Sequence, residues 1–88
     1  MHDIHAADKV LKMALEGAKK NNLQNIKKIM VDLGTVIEHG AEIDPSNLQY
    51  NVKMLARNTV AEGADIIVNK TTGSEVVLKE IEGDSVGD

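Results

Sequence analysis

The chain has 88 residues, a net charge of −4, no cysteine and a single aromatic residue, Tyr50. This length supports one small core, here built from Val, Ile, Leu, Met and Ala, and the missing thiols exclude disulfides, thiolate zinc sites and cysteine nucleophiles. With almost no base-stacking surface, no basic run longer than Lys19-Lys20 or Lys27-Lys28, and no stretch near the roughly 20 apolar residues of a membrane span, no nucleic-acid or membrane partner is expected.

The chain opens Met1-His2-Asp3, which sets a histidine directly behind an α-amino group. Amine, imidazole and two backbone amide nitrogens there suit Ni(II) or Cu(II), whose d⁸ and d⁹ shells gain ligand-field energy in a tetragonal nitrogen field, whereas zinc gains none and takes a tetrahedral cage. Amine and imidazole both lose protons readily near neutral pH, so metal binding releases protons. His5 reads either as a surface residue of the first helical turn or as an auxiliary ligand. A signal peptide would carry a basic and then an apolar run where this chain has His2, Asp3 and His5, so the expected address is cytoplasmic.

From residue 4 to 18, Ile4, Ala7, Leu11, Ala14, Leu15 and Ala18 recur at three- and four-residue spacing and predict an amphipathic helix, with Asp3 as its cap and Asn21-Asn22 as its stop. Residues 26–33 alternate as a half-buried strand, with Ile29, Val31 and Leu33 on the inner side, and Gly34 ends it. Residues 35–43 read as a loop in which His39 is a solvent-facing side chain. Asp44-Pro45 predicts a second helix start, with Asp as N-cap and Pro at the first helical position. Leu48, Val52, Leu55 and Thr59 form its inward stripe, and Tyr50 and Met54 its flank.

Residues 64–70 predict a second strand and residues 76–81 a third, joined through a turn at Thr71-Thr72-Gly73-Ser74 into a hairpin. The polar, glycine-rich residues 83–88 read as a flexible tail, leaving residues 1–82 as the domain. Helix, strand, helix, strand, strand gives a small α/β (α+β) domain, a three-stranded mixed sheet with two helices on one face. No nucleotide-binding glycine fingerprint, Walker motif or Ser-His-acid order is present, and Ser46, Ser74 and Ser85 fall in a cap, a turn and the tail, so no enzyme is expected.

Met1-His2-Asp3, the first helix, Val31-Asp32-Leu33-Gly34, Asp44-Pro45-Ser46-Asn47-Leu48, Thr59-Val60-Ala61-Glu62-Gly63-Ala64 and the closing Val77-Leu78-Lys79-Glu80-Ile81-Glu82 together resemble, in order and spacing, the nickel-binding domain of the HypA/HybF family. The resemblance implies a nickel metallochaperone for [NiFe]-hydrogenase maturation, with Ni(II) as cargo, a HypB-type GTPase and a nickel apo-enzyme as partners, and room for a homodimer. It also implies Met1, His2 and Asp3 as nickel ligands, with Asp3 standing where the family has Glu. The family's zinc ribbon, carried on two Cys-x-x-Cys pairs between its last two strands, has the short turn 71–74 in its place, and extra residues lie between Gly34 and Asp44. No structural zinc is therefore expected. The competing reading is a metal-independent interaction module that keeps this fold, and it predicts indifference to a blocked amine.

Overall fold

The computed structural model describes residues 4–38 and 40–85. Helix α1 is Ile4–Lys20, and its buried stripe holds Ala6, Ala7, Val10, Leu11, Ala14 and Ala18. Beyond the expected Ala7, Leu11, Ala14 and Ala18 it takes in Ala6 and Val10, while Leu15 sits at its half-buried margin. Alanine serves here twice, as the strongest helix former and as a side chain small enough for close approach of α1 to its neighbours. The stop falls at Asn21-Asn22, where Asn22 takes φ 57°. The Leu23 and Asn22 N–H groups donate to the Ala18 and Lys19 carbonyls at 2.8 and 3.3 Å, which closes the helix end with Asn in the left-handed position that glycine usually fills.

Strand β1, Lys28–Leu33, buries Ile29, Val31 and Leu33 completely and turns Lys28, Met30 and Asp32 to the other face. Short strands β2, Ile37–Glu38, and β3, Ala41–Glu42, follow as an antiparallel pair, so the segment expected as a loop carries a hairpin of its own. That hairpin is tied to the main sheet by Lys70, whose ammonium donates to the Gly34 carbonyl at 3.0 Å and pairs with Glu42 at 2.9 Å.

Helix α2, Pro45–Leu55, starts at Asp44, whose carboxylate accepts the Ser46 and Asn47 N–H groups at 2.9 and 3.2 Å. Leu48, Val52 and Ala56 are its buried side, with Leu55 half-buried beside them. Asp44→Ala should cost about 1 kcal/mol of stability in a chemical melt, the usual worth of an N-cap, and should leave the metal chemistry of the chain unchanged. A loss within error of zero would mean that Pro45 alone sets the helix start.

Thr59, expected in the helix stripe, lies beyond the helix, in a knot of turns. Its hydroxyl donates to the Ala56 carbonyl at 2.6 Å and accepts the Ala61 N–H at 3.0 Å. Glu62 accepts the Asn58 N–H at 3.2 Å, Ala61 and Ala64 are buried, and Gly63 takes φ 81°, where a Cβ would be strained. Every distinctive residue of Thr59-Val60-Ala61-Glu62-Gly63-Ala64 thus has a structural task. Ile26 and Asp65, which flank this knot and β1 at their starts, bond to Val60 and Lys27 through their backbone N–H groups at 2.8 Å.

Strands β4, Asp65–Lys70, and β5, Val76–Glu82, do not form the expected hairpin. The sheet order is β4-β1-β5, with β4 parallel and β5 antiparallel to β1. A central strand must find partners along both edges and bury one whole face, and β1, with three fully buried side chains, has the most to gain from that position. β4 and β5, mostly exposed, take the edges. A register shift opposite Met30 and Val31 lets Leu78 and Ile81, three residues apart, both face the core. Helix α1 packs against β5 and α2, and α2 against β4, so the two helices and the three-stranded sheet make the α+β layer pair expected from the element order.

The chain stays bonded past Glu82, where the tail was expected to begin. Ser85 bridges to Leu23, the Asp84 N–H donates to the Asn25 side-chain oxygen at 2.8 Å, and the Asn25 amide donates to the Asp84 carboxylate at 3.0 Å. This amide, and Lys27 at 3.3 Å, hold the Asp84 carboxyl below its ordinary pKa. A carboxylate with a depressed folded pKa stabilises the latch above the ordinary aspartate range and loses that contribution as pH falls through the folded value. An NMR titration should therefore give Asp84 a midpoint below that of an ordinary aspartate, and Asn25→Ala should raise it. An unchanged midpoint in the variant would discard the amide as the cause.

Candidate metal site

Of the four residues expected around a metal, Met1, His2 and Asp3 lie outside the described residues, as does His39. The described site begins at the first turn of α1, three residues on from that terminus. His5 is there, exposed as its helical position predicts, and it lines a cleft of about 340 Å³ with Ala6, Lys9, Val36, Ser74, Glu75 and Val76. No group of three or more His, Asp or Glu side chains among the described residues is placed to hold a metal ion. His5 and Glu75 line the same cleft, but the described residues by themselves do not complete a coordination sphere.

Three separate elements build the walls of this cleft. α1 supplies His5, Ala6 and Lys9, the chain leaving β1 supplies Val36, and the connection from β4 to β5 supplies Ser74 and Glu75. That connection, residues 71–75, arches over the end of β1. The Thr71 N–H donates to the Leu33 carbonyl, the Thr35 N–H to Gly73 and the Gly34 N–H to Glu75, at 2.8, 2.8 and 2.9 Å. Lys70 and Val76 lie on opposite sides of Leu33, so the arch spans two strand spacings, about 10 Å. Sequence reasoning missed Val36, Ser74 and Glu75 as neighbours of His5. Their proximity follows from β1 sitting between β4 and β5, which no local pattern reports.

The fold built from these elements is similar to the solution structure of the Ni metallochaperone HypA from Helicobacter pylori, with a TM-score of 0.78 over 97% of this chain and 99% of that one, at 16% identity. In sequence, the chain is 34% identical over 89 residues to the hydrogenase maturation factor HypA of Pyrococcus abyssi, a match covering 92% of this chain and 61% of that protein. It is 31% identical over 68 residues to the HypA of Methanocella arvoryzae, covering 77% of this chain and 57% of the relative. The family model described as HypA, hydrogenase/urease nickel incorporation metallochaperone, matches residues 1–82. The chain therefore belongs to the HypA family of metallochaperones. It spans about three fifths of the length of the curated relatives it matches.

The resemblance read from the sequence separates, on this fold, into two kinds of residue. Val31-Asp32-Leu33-Gly34, Asp44-Pro45 and residues 59–64 carry strand, cap and turn. Met1-His2-Asp3, the metal-binding part of that resemblance, lies outside the described residues.

Proposed function

We propose that this chain is a nickel carrier of the hydrogenase-maturation type, working in the cytoplasm. It takes one Ni(II) on the Met1 amine, the His2 imidazole and the backbone nitrogens of His2 and Asp3, with His5 within reach as an exchange ligand. The observation that supports the reading is family membership over residues 1–82, which includes the Met1-His2-Asp3 start itself. The donor chemistry agrees. Four nitrogens in a plane impose a strong field on a d⁸ ion. Cargo of this kind has to be released as well as held, and a site on a chain end does both more readily than a closed cage. A HypB-type GTPase and a nickel apo-enzyme are the proposed donor or acceptor partners. The cysteine-free chain is proposed to need no structural zinc.

Calorimetric and optical titration of the chain with its authentic first residue tests the assignment. The expected product is one yellow, diamagnetic Ni(II) per chain, because deprotonated amides force the low-spin square-planar state. His2→Ala should abolish it, whereas His39→Ala should leave it in place. A high-spin, six-coordinate spectrum would rule out this ligand set.

A further inference from the structure

A second cleft lies on α2 and the turn beyond it, sharing no residue with the one beside His5. Its walls are Tyr50, Lys53, Met54, Arg57, Glu62 and Gly63, around about 310 Å³. Lys53, Met54 and Arg57 follow Tyr50 by three, four and seven residues, Arg57 just past the helix end, which places them side by side on the face opposite Leu48, Val52 and Ala56. The only aromatic side chain of the molecule is thus 62% exposed, with Met54 next to it at 39%. In a chain this small and poor in large side chains, leaving both out of the core forgoes burial worth having.

The electrostatics of the cleft differ from those of the chain as a whole. The net charge is −4, yet two cations stand beside the apolar floor. Neither Lys53 nor Arg57 takes part in any of the four ion pairs among the described residues. Glu62, the acid in the same cleft, is engaged with the Asn58 N–H at 3.2 Å. Lys53, in the last turn of α2, is expected from the helix dipole, but the dipole does not explain Arg57 beyond the helix end or the open tyrosine and methionine beside the two cations. Tyr and Arg are the side chains that most often anchor interfaces, and Met adapts to the shape of what it meets.

We propose that this cleft is a docking site for an acidic segment of a partner protein that carries an apolar anchor side chain. The anchor rests on Tyr50 and Met54, and flanking carboxylates meet the Arg57 guanidinium and the Lys53 ammonium. The volume is at the lower end of what a small-molecule site needs, and it suits one or two side chains of a segment better than a cofactor. Positive rim charge on an otherwise acidic chain steers such a segment to this face and away from the rest of the surface.

The test uses a synthetic peptide of mixed glutamate and leucine, and a second peptide with lysine replacing every glutamate. Both are titrated into the metal-free chain in the presence of chelator, so the outcome is independent of nickel binding. Tyr50 emission reports this cleft alone, because no other aromatic side chain exists. The acidic peptide should change that emission, shift the backbone amide resonances of residues 50–57, 62 and 63, and bind more weakly as salt rises. Combined Lys53→Glu and Arg57→Glu should weaken it at least about tenfold. Tyr50→Ala, followed by calorimetry, should weaken it comparably, and the melting temperature of both variants should stay near that of the parent. Equal binding of the lysine peptide, or binding that survives charge reversal, overturns the proposal. So do shifts confined to the open sheet face around Met30 and Ile67, or a sedimentation result in which α2 is covered by a second copy of the chain.

Discussion

Acetylating Met1, or placing a single glycine before it, is expected to weaken Ni(II) binding at least tenfold, equivalent to about 1.4 kcal/mol, without changing helix content. In the proposed site the free amine and the His2 amide nitrogen would close a five-membered chelate ring, and a metal anchored on the amine would make the amide easier to deprotonate. Converting the amine into a peptide group removes the anchor, and the amide then keeps its proton. What remains is the His2 and His5 imidazoles, which bind nickel as ordinary surface histidines do. The helical content should not respond, because α1 draws its stability from Ala7, Val10, Leu11 and Ala14, packed well inside its length. Calorimetry of the native, acetylated and extended chains decides the matter. Equal affinities would remove the amine from the site and favour a metal-independent interaction module.

Gly34→Ala should destabilise the domain by about 2–4 kcal/mol, the sum of an overpacked contact and of backbone hydrogen bonds that no longer close. A Cβ on Gly34 runs into the carbonyl group of Gly73 and lies 2.8 Å from the Ser74 nitrogen, all of it backbone of the arch. A flexible side chain gives way cheaply, whereas this backbone is fixed on both sides by the Thr35 to Gly73 and Gly34 to Glu75 hydrogen bonds. To admit the methyl group the arch has to lift, and with it the junction between β4 and β5 over the end of β1. For a domain whose whole stability is of order 5–10 kcal/mol, that loss is large. Gly73→Ala supplies the control, since a Cβ there meets nothing closer than the Thr71 hydroxyl at 4.0 Å. Chemical melts in which both variants lose the same small amount would show that the arch is soft, contrary to this account. Because Ser74 and Glu75 also wall the cleft beside His5, the Gly34 variant should disturb the amide resonances of that cleft as well.

The amino-acid sequence by itself determined what is local. The stripe of α1, the Asp44-Pro45 start of α2 and the alternation of Ile29, Val31 and Leu33 each follow from residues within one or two turns of one another, and each is present in the fold. The nitrogen-rich terminus is equally local, because amine, amides and imidazole belong to consecutive residues and need no tertiary contact to come together. Family resemblance was legible too, carried by caps, turns and strand ends at set intervals. The tertiary structure alone decided which strands are neighbours. Periodicity tells which face of a strand is buried, but the N–H and C=O groups along its edges are the same for every residue and carry no address. The short turn at residues 71–74 therefore reads as a hairpin, and only the burial of β1 on the core face places it between β4 and β5 and turns that connection into an arch. From this one choice follow the close approach at Gly34, the meeting of Val36, Ser74 and Glu75 with His5, and the latch of Asp84 on Asn25 beyond the end of β5.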